Sequence, residues 1–324
     1  MSHALVLGGG GFIGGHLVRR LSGEGHLVTA VDMHLPEFGQ SPAERFLLGD
    51  LRDRAFCASV FDRLYDRVYQ LAADMGGAGY IFTGTHDAAI MANSAQINLN
   101  VLREAVRMPP GIIFYASSAC IYPPPDAYSE VAYEESTAYP AQPDSEYGWE
   151  KLFSERLYLA HARNAGLNVR IARLHNVYGP ESAWAGGKEK AIAAICRKVI
   201  TATEGAEIEV WGDGQQTRSF LYIDECLDGL ERLILSETAE PINIGSAEMV
   251  TIQQLARMII DISGKRLGIR NVAGPKGVDI RTSHNDRIQR ELQWSPSYPL
   301  RAGLEKTYQW IKYQMRVTHP AGDE

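Results

Sequence analysis

The opening 32 residues restrict the fold more tightly than any other part of the chain. Ala4-Leu5-Val6-Leu7 is a short apolar run, and Gly8-Gly9-Gly10-Gly11-Phe12-Ile13-Gly14 follows it at once. Ile13, Leu17, Val18 and Leu21 then recur at helical spacing, and Leu27-Val28-Thr29-Ala30-Val31 reads as a second strand closing on Asp32. Strand, glycine turn, helix, strand and acid together form a dinucleotide-binding unit of an open α/β sheet. The glycines let the backbone pass close to a pyrophosphate, whose charge is met by N–H groups at the helix start. Asp32 lies 18 residues beyond Gly14 (32 − 14), where a carboxylate accepts from a ribose diol and repels a 2′-phosphate. Gly8, Gly11, Phe12, Ile13, Gly14 and Asp32 are therefore the expected cofactor contacts, and the acid favours NAD over NADP.

The alternation continues. Phe46-Leu47-Leu48-Gly49-Asp50-Leu51-Arg52 reads as a third strand ending at Asp50. Asp50, with Leu51 beside it, is either an adenine-side contact or the N-cap of the next helix. Arg67-Val68-Tyr69-Gln70-Leu71-Ala72-Ala73 is a fourth strand, and small Ala72 and Ala73 let a flat cofactor lie against the backbone. A helix near 91–106 precedes the buried strand Ile112-Ile113-Phe114-Tyr115. That strand runs into Ala116-Ser117-Ser118-Ala119-Cys120-Ile121-Tyr122 and then Pro123-Pro124-Pro125. Two hydroxyls and a thiol thus emerge at the carboxyl edge of a parallel sheet, where ligands bind. Taken alone, the same stretch reads as a small-residue turn around a buried cysteine. Val169-Arg170-Ile171-Ala172-Arg173-Leu174 is another strand. The expected class is α/β, a Rossmann-type doubly wound parallel sheet.

Bulk properties bound the partners. A net charge of -7 and a pI near 5.8 argue against nucleic acid and against an anionic membrane surface. No apolar run approaches the ~20 residues of a membrane span, and Met1-Ser2-His3 leads into a strand without signal-peptide anatomy. Cys57, Cys120, Cys196 and Cys226 are scattered with no CxxC pair, which fits the cytoplasm, no disulfide framework and no metal.

Trp149, Leu152, Phe153, Leu157 and Ala160 recur at helical spacing, placing Tyr147 and Lys151 one turn apart on one side. The pair is either a surface contact or a chemical couple. A free tyrosine, with a pKa near ~10, is a poor base, and a nearby cation together with an oxidised nicotinamide favours the phenolate. Gly8-x-x-Gly11-x-x-Gly14, Ser118 and Tyr147-x-x-x-Lys151, with Ser118 29 residues before Tyr147 (147 − 118), resemble the extended short-chain dehydrogenase/reductase family. The resemblance gives Tyr147 proton transfer at a sugar hydroxyl, Lys151 the nicotinamide ribose and Ser118 orientation of that hydroxyl. The sequence has no internal repeat and no low-complexity linker, so two interwoven units are expected. Residues 1–175, with 219–245 returning, would hold NAD; 176–218 and 246–315 would form a smaller α/β nucleotide-sugar unit; 316–324 would be a flexible tail.

Four segments narrow the resemblance: Ala73-Asp74-Met75-Gly76-Gly77, Ser117-Ser118-Ala119-Cys120-Ile121-Tyr122-Pro123, Gly186-Gly187-Lys188-Glu189-Lys190 and Gln216-Thr217-Arg218-Ser219-Phe220. Together they closely resemble the GDP-mannose 3,5-epimerase branch of that family, from Ala4 to about Gln314. Ala78, the segment 81–86 and Pro109-Pro110 depart from the plant-type pattern. The implied reaction is redox-neutral: transient C4 oxidation of GDP-mannose acidifies C3 and C5, and NAD is regenerated as GDP-L-galactose forms. A thiol of pKa ~8.5 and an amine of pKa ~10.4 exchange protons near neutrality when their surroundings lower those values. By resemblance Cys120 and Lys190 are that pair. Read without it, Cys120 is equally a buried small residue and Lys190 a phosphate ligand. The resemblance also assigns Gly76, Ser118, Ala119, Cys120, Asn176, Glu189, Lys190, Lys198, Gln216, Thr217, Arg218 and Arg281 to the GDP-sugar, and implies a homodimer through helices near 93–106 and 147–162. Two neighbouring activities compete. A 4-epimerase needs no C3 or C5 exchange, and a 4,6-dehydratase would carry an acidic pair where Ala119-Cys120 stands. A non-enzymatic NAD-sensing protein is opposed by intact Ser118, Tyr147 and Lys151.

Overall fold

The computed structural model describes residues 2–124, 132–274 and 278–318. Its centre is a sheet of β1 (His3–Leu7), β2 (Leu27–Asp32), β3 (Arg45–Leu48), β4 (Arg67–Gln70), β5 (Ile112–Ser118), β6 (Val169–Leu174) and β7 (Ile242–Ile244). All neighbours are parallel, and the spatial order is β7-β6-β5-β4-β1-β2-β3. Alternate side chains enter two cores. Ala4, Val6, Val28 and Phe114 face the helices Phe12–Gly23 and Ile223–Leu235, while Leu5, Leu7, Val68 and Tyr115 face Asp87–Arg107 and Glu146–Ala165. Coverage on both faces explains why the strands read as unbroken apolar runs and not as alternating ones. The order reverses between β1 and β4, so a crevice opens beyond their carboxyl ends.

The remaining described chain builds smaller sheets against this edge. Val177–Tyr178 pairs with Leu221–Tyr222, Glu207–Trp211 with Gly268–Val272, and Thr217–Ser219 lies between Met249–Thr251 and Ile280–Arg281. The helices Ala191–Thr201, Ile252–Ser263 and Leu300–Thr318 pack on one another behind them. Thr251 caps the second of these in a reciprocal box with Gln254, as its position before an apolar run predicts. β7 returns to the main sheet from this late part of the sequence, beside β6.

Several boundaries differ from expectation, each for a local reason. β3 stops at Leu48 because the Asp53 N–H closes a turn on the Asp50 carbonyl at 3.0 Å. β4 stops at Gln70, whose buried amide takes over the backbone bonds of Ala72. Its Oε1 accepts from the Ala72 N–H at 3.1 Å and its Nε2 donates to the Ala72 carbonyl at 3.0 Å. β5 runs on through Ser118, which stays in register with Leu174. Residues 210–220 read as strand, tight turn, strand, yet Glu207–Trp211 pairs with Gly268–Val272 while Thr217–Ser219 lies between two other strands. Arg316, Val317 and Thr318 continue the last helix where a tail was expected, the first helix breaker being Pro320; residues 319–324, like Pro125 of the proline run, lie outside the described residues.

Candidate active site

The crevice is a cleft of about 1010 Å³ lined from both parts of the chain. Its cofactor half is built by close approach. Gly8 sits at φ +87°, and a Cβ there would press on the backbone of Ala72; a Cβ on Gly14 would collide with the carbonyl of Gly8. Turn and helix can meet only with hydrogen at both positions. The helix Phe12–Gly23 starts on Gly11 with no side-chain cap and no acid in its first turn, so its N–H groups remain available to an anion. Asp32 accepts from the N–H groups of Gly10 at 3.0 Å and His34 at 3.2 Å, which fixes its carboxylate on the cleft wall. The cradle that only glycine allows, with an oriented acid beside it, fits a dinucleotide. Asp50 also lines the cleft and is not a helix cap: Asp53 caps that helix, accepting from Ala55 and Phe56. Arg52 grips Asp50 at 2.7 Å, and its hydrogen bond holds the Asp50 carboxyl below its ordinary range. Leu51, Ala72, Phe12 and Ile13 complete this half.

The end of β5 carries the groups expected to react. Ser118 Oγ accepts from the Cys120 N–H at 3.2 Å, capping a single 3₁₀ turn over Ala119–Ile121 that aims Cys120 into the cleft. The helix carrying Tyr147 and Lys151 meets that turn through Gly148, where a Cβ would strike the Cys120 carbonyl. Tyr147 is buried, and burial pushes its phenol well up, with the Cys120 charge adding and a hydrogen bond from Ser118 opposing. Lys151 was expected to hold that phenol down. Its Nζ instead donates to the Ala116 carbonyl at 2.9 Å and lies 5.7 Å from the Tyr147 ring centroid. Burial lowers the pKa of Lys151, against the pull of Glu150 and Cys120. Burial likewise lowers that of Lys190, with Cys120 the leading opposing charge.

The substrate half is dense in cations and unpaired polar atoms. Arg218 and Arg281 are in-register neighbours on parallel strands and both line the cleft. Burial lowers the Arg218 guanidinium to about 10. Gln216 donates to the Trp211 carbonyl at 3.1 Å, and its buried Oε1 has no partner among the described residues. Lys198 donates to the Glu209 carbonyl at 2.7 Å beside Trp211. Glu189 pairs with Arg197 at 2.8 Å, and Asn176 adopts a left-handed backbone while its amide bonds to Ser219. Gly76 and Ala119 complete the wall. Thr217 alone of the expected contacts does not line the cleft. Strand alternation turns Arg218 inward and Thr217 away, where its hydroxyl is buried.

Sequence reasoning missed a strap. The Gly77 N–H donates to the Lys188 carbonyl at 3.0 Å, and Lys188 Nζ stands 3.7 Å from Asp74 and 4.3 Å from the Tyr80 ring centroid. Burial pushes the Asp74 carboxyl up, but hydrogen bonds from Asn93 and Tyr80 hold it below its ordinary value. Only the glycine pair Gly76-Gly77 hinted at such a crossing.

Comparisons with known proteins agree with this geometry. A family model described as the NAD dependent epimerase/dehydratase family matches residues 4–245. The chain is 44% identical to GDP-mannose 3,5-epimerase of Arabidopsis thaliana, over 98% of this chain and 84% of that protein. It is also 44% identical to GDP-mannose 3,5-epimerase 1 of Oryza sativa subsp. indica, over 98% and 83%. Among solved structures it is similar to UDP-glucose 4-epimerase of Thermotoga maritima, with TM-score 0.84, 23% identity and coverage of 97% and 99%. UDP-glucuronic acid 4-epimerase of Bacillus cereus, solved with UDP-glucuronic acid and NAD, has TM-score 0.83, 25% identity and coverage of 96% and 99%. With a glycine cradle that fits the cofactor, a Ser/Tyr/Lys set at the sheet edge and these relatives, the chain belongs to the NAD-dependent epimerase/dehydratase family.

Proposed function

We propose that this chain is an NAD-dependent epimerase that converts GDP-mannose to GDP-L-galactose. Supporting it above all is one coincidence: Cys120 and Lys190 line the same cleft as Ser118, Tyr147 and Lys151, in a chain 44% identical to plant GDP-mannose 3,5-epimerase. Gly8, Gly11, Gly14 and Asp32 would hold NAD, which would supply a reversible hydride acceptor for C4 and a positive charge that favours the Tyr147 phenolate. Tyr147 takes the proton of the C4 hydroxyl, Ser118 orients that hydroxyl, and Lys151 holds the nicotinamide ribose. The ketone acidifies C3 and C5. Cys120 and Lys190 then serve opposite faces, one removing a proton from carbon while the other delivers one. Tyr147 returns its proton as C4 is reduced.

Arg218, Arg281 and Lys198 would neutralise the diphosphate, Arg as a fork and Lys as a point charge. Gly76, Asn176, Glu189 and Gln216 would frame the sugar nucleotide, and Asp32, Asp50 and Leu51 the adenosine. Exposed Trp149 and Phe153, together with Leu99 and Val106 on the adjoining helix, favour a homodimer through these two helices. Four free, buried thiols suit the cytoplasm.

The test is incubation with GDP-mannose in D2O, followed by NMR. Deuterium should enter C3 and C5 without net NADH, and Cys120→Ala should keep NAD binding but lose most exchange. A folded, NAD-loaded protein that labels neither carbon would sink the proposal.

A further inference from the structure

A chain of charged contacts leads outward from the Cys120 sulfur. Arg281 Nη1 donates to Cys120 Sγ at 3.1 Å. The other terminal nitrogen, Nη2, pairs with the carboxylate of Asp144, and the two side chains are only 8% and 3% exposed. Asp144 Oδ1 accepts from Ser145 Oγ at 2.9 Å, and that same Oγ caps the next helix by accepting from the Gly148 N–H at 3.2 Å. The carboxylate therefore ties the guanidinium on the sulfur to the start of the helix bearing Tyr147 and Lys151.

Arg281 would not hold this place unaided. Its in-register neighbour is Arg218, whose guanidinium is anchored on the carbonyls of Thr217, Val278 and Asp279. Like charges side by side in a partly closed cleft repel, and the repulsion grows as water is excluded. Lys190 adds a third cation near the same sulfur. Among the described residues, Asp144 is the one ion-pair partner of Arg281. Without it, repulsion would drive the flexible side chain towards the open cleft and away from Cys120.

We propose that Asp144 is a positioning residue: it pins the Arg281 guanidinium on Cys120, so that charge forming on the sulfur is met in place. The inference rests on the proposed role of Cys120 as a proton carrier. In that step the sulfur anion takes a proton from the carbon beside the C4 ketone. An S–H bond forms, the C–H electron pair passes into the enolate, and the reverse transfer delivers the proton. A donor already aimed at the atom whose charge changes needs no rearrangement during the transfer. Among the described residues the buried Nε of Arg281 has no partner, so holding the sulfur does not exclude a contact to the sugar nucleotide.

The experiment reads the sulfur directly. The NAD-loaded enzyme is treated with iodoacetamide at neutral pH, and alkylation of the Cys120 peptide is followed by mass spectrometry. Asp144→Asn and Arg281→Met should each slow it by about tenfold or more, as expected for losing a hydrogen bond to a charged partner. Asp144→Glu, which restores the charge, should recover much of the rate. Cys57, Cys196 and Cys226 are 0% exposed and lie off the cleft that Cys120 lines, so their labelling would report a loosened fold. In that case Arg281→Lys, which keeps a cation for Asp144 but loses the fork, decides the matter, and alkylation at the wild-type rate refutes the inference. Asp144→Asn alkylating as fast as wild type would also overturn it, and a faster rate would make Asp144 a brake on Arg281, not its anchor. No sugar is present, so failure of deuterium exchange from GDP-mannose would sink the function while leaving this contact chain standing.

Discussion

Gly148→Ala sets two physical effects of opposite sign against each other. Gly148 lies in the first turn of the helix Glu146–Ala165, where alanine is intrinsically favoured over glycine by up to ~1 kcal/mol. The added Cβ, however, would collide with the carbonyl oxygen of Cys120 and press on Pro143. The struck atom is backbone in a capped turn, so it cannot yield by a rotamer change. The Cβ would stand 2.0 Å from that oxygen, where ordinary contact is 3.4–4 Å, so the turn or the helix must move by more than ~1 Å. Overpacking of this kind costs ~1–3 kcal/mol, which outweighs the propensity gain and leaves a net loss of about 1 kcal/mol. At ~2.1 cal/mol/K of unfolding entropy per residue, a chain of 324 residues loses only about 1.5 °C of Tm. Activity should suffer far more, because the same movement displaces Cys120 from Tyr147 and Ser118; a ~1 Å misplacement costs about 10²-fold in rate. Thermal unfolding, NAD titration and turnover of GDP-mannose together check this. A stabilised variant with unimpaired turnover would refute the close-approach reasoning.

Three further outcomes follow from buried charge and from the cofactor acid. Arg173→Met leaves Glu155, otherwise paired with it at 3.0 Å and bonded to Ser117, uncompensated in the core, and should cost ~3–5 kcal/mol in chemical denaturation. His175 is fully buried, and burial lowers its pKa from 6.5 to about 4. The unfolded chain therefore binds the extra proton first, and stability should fall by roughly 3 kcal/mol as pH drops through that window. In His175→Gln, urea titrations at a series of pH values should show this part of the acid slope removed. Asp32→Ala should weaken NAD binding and narrow the preference over NADP, which calorimetric titration with both dinucleotides would measure.

What could be read from the sequence divides along the range of the interactions involved. The glycine turn, Asp32, and the Tyr147–Lys151 pair depend on contacts within a few residues, so spacing carries them. Neighbouring chemistry at the end of β5 was legible for the same reason. Asp50 was ambiguous until Asp53 appeared as the cap, because two acids three residues apart offer the same sequence signal. Thr217 went astray because a motif names a stretch while a strand shows the cleft every second side chain. The grip of Asp144 on Arg281, 137 residues apart (281 − 144), has no local signature. Gln70 ending β4 with its own amide, and Gly148 meeting Cys120, are likewise products of packing.

These long-range contacts converge on one short segment. Ser118 fixes the Cys120 backbone through its N–H, Gly148 confines it through its carbonyl, and Arg281 holds its sulfur. Each comes from a different element: the end of β5, the Tyr147 helix, and the strand Ile280–Arg281 of the substrate side. A hydride step and a proton exchange on one sugar ring must share a single geometry, because C3 and C5 are acidic only while C4 is oxidised. Under the proposed roles, anchoring Cys120 to the serine and the helix assigned to C4 would keep both chemistries in one frame. A thiol on a separate loop would need independent alignment within the lifetime of the ketone. Placing it two residues beyond the serine removes that requirement.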